Sequence, residues 1–239
     1  MHPRATTAAV LSACVVLAGC ATQVADAPAV HISEVVKPSP VRALDRVLPT
    51  SDELATMLGA VGLMGPLVSG GADMLLHSVG AAEATPADCV STAYRLQKVV
   101  YDAGSARTVA SRSWAGGDAN GPSSTGSFGV VQFANPDDAQ EFFAAAADKW
   151  HRCNGQTLVL RRPDAHTDGA SRITDVDIDR RTVSAVVMHE AGSTVQRALG
   201  VASDCVVDVE ISDTAGMGPT GAQDAVSVAN LMLQKIGIS

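Results

Sequence analysis

Five strand-like runs, separated by short turns rich in Gly, Asp and Ser, constrain the fold more than any other feature of this chain. The runs cover residues 157–161, 172–178, 183–189, 194–201 and 205–211. Short turns join antiparallel neighbours, because a parallel pair needs a crossover of a dozen or more residues. The sequence therefore predicts an antiparallel meander.

Helix start signals flank this meander. Asn135 followed by Pro136 is typical of a helix N-terminus, because Asn caps free backbone amides and Pro fits the first turn. The apolar stripe behind it is Ala139, Phe142, Phe143, Ala146 and Trp150. Further helices are expected after the capping box at Thr50 and Glu53, after Thr85-Pro86 as far as Gly104, and from about Thr220 to the end.

These signals predict an α+β fold in a single domain. Helices come first, the meander follows, and one helix closes the chain, which favours an antiparallel β-sheet with helices packed on one face. The Gly- and Ser-rich stretch 115–127 is expected to be a loop between two strands.

The N-terminus resembles a bacterial lipoprotein signal. The apolar run over residues 8–19 is shorter than the roughly 20 residues that a membrane-spanning helix needs, and has the length of a signal-peptide core. It ends in Leu17-Ala18-Gly19-Cys20, which looks like a lipobox, in which the Cys receives diacylglycerol and becomes the new N-terminus. An ordinary secretory signal, with Cys20 incidental, is the alternative.

The lipobox predicts three parts of the chain. Residues 1–19 are a signal peptide, residues 20–41 a lipid-anchored flexible tether, and residues 42–239 the folded domain. The predicted location is the extracytoplasmic side of the cell membrane, with the membrane bound through the lipid on Cys20.

Charge argues against nucleic acid as a partner. The chain has 17 Lys and Arg against 25 Asp and Glu, a net charge of -8, without a basic patch. Phosphate backbones need clustered basic side chains. Aromatic residues make up only 3% of the chain, too few for a base-stacking platform.

The cysteines predict one disulfide. Of five cysteines, Cys14 leaves with the signal peptide and Cys20 carries the lipid, so Cys89, Cys153 and Cys205 remain. In an oxidising compartment, one pair and one free thiol is the simplest account, and all three pairings are open at this point. Metal binding by the three is the alternative, but no Cys-x-x-Cys spacing supports it.

Catalytic and cofactor motifs are weak. Neither Gly-x-Ser-x-Gly nor His-Glu-x-x-His occurs. Residues 216–221 spell the G-x-G-x-x-G fingerprint, which we interpret as a turn and helix cap, because no second parallel strand follows. Asp175, Asp177 and Asp179 are expected on the solvated face of a strand, with a weak cation site as the alternative. We predict a non-catalytic protein without cofactor or metal.

Two charged residues interrupt otherwise apolar strands. Arg197 lies in Val-Gln-Arg-Ala-Leu and Asp208 in Val-Val-Asp-Val. A buried charge needs a partner, so we expect the two to pair. The pair is either structural or lines a ligand cleft, with Gln196 and Gln132 as polar neighbours.

The order of motifs resembles the PknH-type extracellular sensor domain family of mycobacterial kinases, which also includes free-standing lipoproteins. The most specific pieces are Trp150-His151-Arg152-Cys153-Asn154-Gly155 and Gln196-Arg197-Ala198-Leu199. Supporting pieces are Val47-Leu48-Pro49, Pro86-Ala87-Asp88-Cys89, Tyr101, Val131-Gln132-Phe133, Ala139 to Phe143, and Val207-Asp208-Val209.

The resemblance implies a disulfide between Cys89 and Cys153 and a groove proposed to hold a ligand. The family's second disulfide is lost here, because Val195 and Ile211-Ser212 occupy its positions, and Cys205 is expected to be a buried free thiol. A Trp common in the family is also missing near Arg172.

Three functions follow in order of preference. The first is an envelope lipoprotein that binds a small or lipidic ligand without catalysis, or senses it for an envelope protein partner. The second is a structural or protein-interaction lipoprotein without a ligand pocket, and the third is an envelope hydrolase.

Overall fold

A ten-stranded antiparallel sheet carries the helices of the protein. The computed structural model describes residues 39–80, 82–102, 105–118, 121–161, 169–190, 192–213 and 222–238. The strands are β1 (Gly62–Met64), β2 (Val68–Gly71), β3 (Ala84–Thr85), β4 (Ala106–Asp118), β5 (Gly121–Phe133), β6 (Thr157–Leu160), β7 (Gly169–Ile178), β8 (Thr182–His189), β9 (Thr194–Ala202) and β10 (Cys205–Asp213).

The predicted meander is confirmed as β6 to β10. Along the sheet the order is β1-β4-β5-β10-β9-β8-β7-β6-β3, and β2 also pairs with β4. The long hairpin β4–β5 therefore sits beside β10, at the opposite end of the meander from β6.

The predicted loop over residues 115–127 is wrong, because most of it belongs to this hairpin. Two of the glycines there, Gly116 and Gly126, are covered by aromatic rings of their own strands. A Cβ atom on Gly116 would lie 2.1 Å from the ring of Trp114, and one on Gly126 would lie 2.4 Å from the ring of Phe128. A ring packed over a bare glycine backbone supplies the contacts that the missing side chain does not.

In the described part of the chain, five α-helices accompany the sheet. They are α1 (Ser51–Leu58), α2 (Val90–Ala93), α3 (Lys98–Tyr101), α4 (Pro136–Cys153) and α5 (Gln223–Ile238). The side-chain oxygen of Thr50 and the carboxylate of Glu53 form the predicted capping box of α1. Asn135 caps α4 as predicted.

The single helix predicted after Thr85 is wrong, because the chain there breaks into α2 and α3. Tyr94 has an extended backbone, and Leu96 has a positive φ of 49°. Residues 91–97, which we call the strap, comprise the end of α2 and the extended link to α3, and they contact the sheet through Arg197 and Asp208. The apolar residues have the spacing of a helix, but tertiary hydrogen bonds override helix formation at this point.

The helices cover both faces of the sheet rather than the single face expected, although the α+β class and the antiparallel sheet are confirmed. Val131 and Val206 join the apolar cluster of α4, whereas their neighbours Val130 and Val207 join the cluster of α5. Side chains alternate between the faces of a strand. Because consecutive residues are apolar, both faces need a cover.

All described residues belong to one compact unit. Among these residues, no helix is long and apolar enough to cross a bilayer.

Candidate functional site

Arg197 and Asp208 form the ion pair that the sequence predicted. The guanidinium Nη2 lies 2.9 Å from the carboxylate Oδ1, and the two side chains are 0% and 3% exposed. Both belong to the sheet face that α4 covers, and the guanidinium lies 5.8 Å from the ring centre of Trp150 on α4. The charged groups are therefore sealed between the sheet and the helix.

The rest of the guanidinium is bound by the strap and its own sheet. Nε donates to the carbonyl oxygen of Thr92 and Nη2 to that of Ser91, each at 3.2 Å. Nη1 donates to the carbonyl oxygen of Val209 at 3.2 Å. Arginine has five N–H donors in a fixed fork, so a guanidinium with partners on three nitrogens fixes the groups around it. Arg197 thus holds the start of the strap.

Asp208 holds the other end of the strap. Its Oδ2 accepts from the backbone N–H of Leu96 at 2.8 Å and from the hydroxyl of Tyr101 at 3.2 Å. Burial raises the pKa of Tyr101 well above its usual value, and the negative charge of Asp208 raises it further. The tyrosine hydroxyl therefore stays protonated and serves as a donor.

The segments on either side of the strap are also fixed. Before it, Cys89 forms the predicted disulfide with Cys153 at the end of α4. At its C-terminal end, Gln97 accepts hydrogen bonds through its side-chain oxygen from Ser78 and Val79. The indole N–H of Trp150 also donates to the hydroxyl of Ser91 at 3.1 Å. These contacts place the strap beside α4 at a defined distance.

A groove of about 370 Å³ lies between α4 and the chain that adjoins the strap. We call it the helix groove; it is lined by Ser91, Val100 and Ser105 on one side and by Asp138, Glu141, Phe142, Ala145, Ala146 and Lys149 of α4 on the other. Its volume falls in the range of small-molecule sites, roughly 300–1,000 Å³. Apolar side chains form its middle and polar groups its ends, which suits an amphipathic ligand.

A second cavity of about 210 Å³ extends the helix groove past Lys149. The ammonium of Lys149 lies 3.8 Å from the carboxylate of Asp88, which lines this extension. At the opposite end, the hydroxyl of Ser105 donates to the carboxylate of Asp138. The two ends of the groove therefore differ in charge.

A smaller cleft of about 210 Å³ lies on the other side of the strap. Leu96 and Arg95 form one wall, and Ser111, Ser113 and Ser127 of β4 and β5 contribute hydroxyl groups. Arg95 is paired with Glu210 at 2.6 Å, with side chains 34% and 19% exposed. Its volume is below the usual range for a ligand site, so the helix groove is the better candidate.

The side chains of Gln196 and Gln132 do not lie near that of Arg197, so the prediction that they are its polar neighbours is wrong. Both side chains lie on the α5 face of the sheet. Gln196 donates to the carboxylate of Asp224 at 3.0 Å, and Gln132 donates to the carboxylate of Asp204 at 2.7 Å. Adjacent residues of a strand point to opposite faces, so Gln196 cannot share the environment of Arg197.

Sequence reasoning missed a second buried ion pair, between Arg42 and Asp204. The guanidinium Nε lies 2.8 Å from Oδ1, and the Asp204 side chain is 1% exposed. Burial tends to raise the pKa of Asp204, but the Gln132 hydrogen bond and the Arg42 charge outweigh it and hold the pKa below its usual value. Arg42 follows the predicted tether without any apolar pattern, so no signal marked it.

Cys205 is a buried free thiol, as the resemblance implied. Burial and the neighbouring Asp204 charge raise the pKa of its thiol to about 12. A thiol is nucleophilic only as the thiolate, so the raised pKa disfavours reaction of Cys205 at neutral pH.

Ser171 and His189 form a side-chain contact between neighbouring strands. The hydroxyl of Ser171 lies 2.8 Å from Nδ1 of His189, but Ser171 is only 1% exposed and out of reach of a substrate. Asp175, Asp177 and Asp179 are exposed as predicted. No cluster of three metal-ligating side chains occurs within the described ranges. Cys20 and residues 216–221 lie outside them.

The fold matches a solved structure. The crystal structure of the extracellular domain of PknH from Mycobacterium tuberculosis superimposes with a TM-score of 0.69 at 22% identity, covering 84% of this chain and 98% of that one. An X-ray structure of a putative uncharacterized protein from Mycobacterium smegmatis matches with a TM-score of 0.42 at 11% identity, covering 84% and 97%. No curated protein matches the chain.

Val195 on β9 lies directly opposite Ser212 on β10, so the two positions at which the resemblance implied a second disulfide are cross-strand partners. The sequence model of the PknH-like extracellular domain matches residues 39–235, nearly all of the described chain. This chain therefore belongs to the PknH-like extracellular domain family.

Proposed function

We propose that this protein is an envelope lipoprotein whose extracytoplasmic domain binds a small or lipidic ligand in the helix groove without catalysis. The observation that carries the proposal is the groove itself, a cavity of about 370 Å³ with an apolar middle and polar ends. Membership of an extracellular sensor family supports it. Signal transfer then needs an envelope protein partner.

In this proposal Arg197 and Asp208 position the site rather than contact the ligand. Neither side chain lines the helix groove. Arg197 instead holds the carbonyl oxygen of Ser91, and the hydroxyl of Ser91 is held by Trp150 of α4. Ser91 lines the groove, so these contacts set its width.

The groove is tested by filling it. Ala145 is exposed and lines the groove, whereas its neighbour Ala144 is equally exposed and does not. Mass spectrometry of organic extracts of the purified protein should recover a ligand from the wild type and from Ala144→Trp, but not from Ala145→Trp. The same ligand recovered from all three proteins would contradict the site.

The membrane anchor is a separate part of the proposal. We propose that Cys20 is diacylated after cleavage of residues 1–19, on the evidence of the Leu-Ala-Gly-Cys sequence. Metabolic labelling with a fatty-acid probe should mark the wild type and leave Cys20→Ala unlabelled. Equal labelling of both proteins would exclude Cys20 as the lipid site.

A protein-interaction role is the second candidate, and one observation favours it. Val61 and Leu63 at the β1 edge of the sheet are 79% and 82% exposed, which is unusual for large apolar side chains. Under this alternative, Leu63→Lys abolishes partner capture in envelope crosslinking, and Ala145→Trp has no effect on it.

A further inference from the structure

We infer that the helix groove selects amphiphiles with a cationic head group over anionic ones. This inference rests on the proposed function and adds the chemical class of the ligand. It is carried by the distribution of charge along one face of α4, together with the apolar floor between the charged ends.

The end of the groove near the start of α4 is acidic. Asp138 and Glu141 both line it, and the described lining contributes no basic side chain at this end. Among the described residues, Asp138 interacts across the groove with the neutral hydroxyl of Ser105. A cation bound here gains Coulomb energy from two carboxylates at a partly exposed site.

The opposite end is internally compensated. Lys149 lines the groove, but its ammonium is already paired with the carboxylate of Asp88. The described lining of the groove and its extension thus has three carboxylates and one ammonium. An anionic head group meets no unpaired positive charge here, so binding of an anion is disfavoured at both ends of the groove.

The floor between the ends is apolar. Phe142, Ala145 and Ala146 lie between Glu141 and Lys149 on α4, and Val100 faces them. Glu141 and Lys149 are eight positions apart on the helix, a rise of about 12 Å. This length accommodates a short alkyl chain or a ring system behind the cationic group.

The test compares amphiphiles that differ only in the head group. Hexyltrimethylammonium and hexyl sulfate are titrated by calorimetry into the full chain in nanodiscs of neutral lipid, with empty nanodiscs as the blank. The cation should bind and the sulfate should not. Glu141→Gln should weaken binding of the cation by roughly threefold to tenfold, the effect of losing one partly screened charge.

Asp137→Asn is the matched control. Asp137 is exposed about one turn before Glu141 on α4 and does not line the groove, so this variant makes the same charge change without affecting binding. An equal loss in Asp137→Asn and Glu141→Gln would show general surface charge and overturn the inference.

Two other outcomes separate this inference from the proposed function. Binding of hexyl sulfate that Ala145→Trp abolishes would overturn the charge selection and leave the groove as the ligand site. Binding of the cation that Ala145→Trp does not change would remove the groove as the site, and the inference with it.

Discussion

The two buried Arg–Asp pairs lie on opposite faces of the sheet and are built in opposite ways. In the first, Arg197 belongs to the sheet and reaches out to the strap, and both side chains are almost completely buried. In the second, Arg42 belongs to the segment that precedes the sheet and reaches in to Asp204, and its own side chain stays 23% exposed.

The two arginines differ in their access to water. Arg197 has no access to water, so each of its donors needs a protein partner, and backbone carbonyls of the strap supply two of them. Arg42 can be hydrated on its outer side, and Asp204 keeps a second partner in Gln132. We therefore expect the first pair to control stability and the shape of the groove, and the second to control how firmly the N-terminal segment is held.

The largest effect is expected for Arg197→Gln. It leaves Asp208 buried with its ionic partner removed and releases the carbonyls of Ser91 and Thr92, which should cost about 3–5 kcal/mol of unfolding free energy. Chemical denaturation measures the loss. The matched control is Arg95→Gln in the strap, whose partly exposed pair with Glu210 contributes no more than about 1 kcal/mol. Equal losses in the two variants would contradict the difference in burial on which the comparison rests.

Removal of the disulfide should cost nearly as much. Cys89 and Cys153 are 64 residues apart in sequence, and the chain-entropy model gives about 4 kcal/mol for a closed loop of this size. Cys89→Ser with Cys153→Ser should therefore lower stability by this order, measured by denaturation of the oxidised wild type against the double variant. Peptide mapping without reductant checks the pairing, and a bridge that contains Cys205 would contradict it.

The ion pair on the α4 face was predictable from sequence because its two charged residues interrupt apolar strands. A charge at Arg197 or Asp208 inside a valine-rich strand is conspicuous, and burial requires the two to meet. The helix α4 was equally clear, since its cap and its stripe agree. What the pattern did not reveal is the strap, because the apolar spacing from Cys89 to Val100 fits a helix. Only the amide of Leu96 bound to Asp208 shows why the helix breaks.

The α5 face was harder to predict because its interacting polar residues are far apart in the sequence and follow no periodic pattern. Arg42 and Asp204 are separated by most of the chain. Gln132 and Gln196 stand out as polar residues in apolar strands, yet the partners that satisfy them come from a turn and from a helix start. The two-sided cover of the sheet was visible in the paired valines of β5 and β10, a signal that the one-face prediction did not use.

A smaller effect is expected for Arg42→Gln, about 2 kcal/mol, because a hydrogen-bonded charge is lost while Gln132 still binds Asp204. The pKa of Asp204 is lowered in the folded state, so its contribution is present above its unfolded pKa of about 3.8 and is lost as the pH falls below that value. Stability of the wild type should therefore fall more steeply than that of Arg42→Gln between pH 5 and pH 3. Parallel acid titration curves would show that Arg42 does not act through Asp204.

The smallest effect concerns His189, whose pKa responds to the charges of Glu210 and Arg197. Burial lowers the pKa of His189, the Glu210 carboxylate opposes that shift, and the Arg197 charge adds to it. Nδ1 of the imidazole is also engaged by the hydroxyl of Ser171. A protonated His189 is therefore less favourable in the folded protein than in the unfolded chain.

The sign of the pH effect follows from linkage. Since the folded pKa lies below the unfolded value of about 6.5, the unfolded chain binds a proton first as the pH falls, and stability declines from pH 7 towards pH 5. His189→Asn should flatten this decline in a series of thermal melts, whereas His151→Asn, which alters an exposed position on α4, should retain it. If Arg197 contributes to the low pKa, the decline should also become shallower in Arg197→Gln, since removal of a nearby positive charge makes protonation of His189 easier. A decline of unchanged slope in Arg197→Gln would mean that burial, and not the Arg197 charge, lowers the pKa of His189.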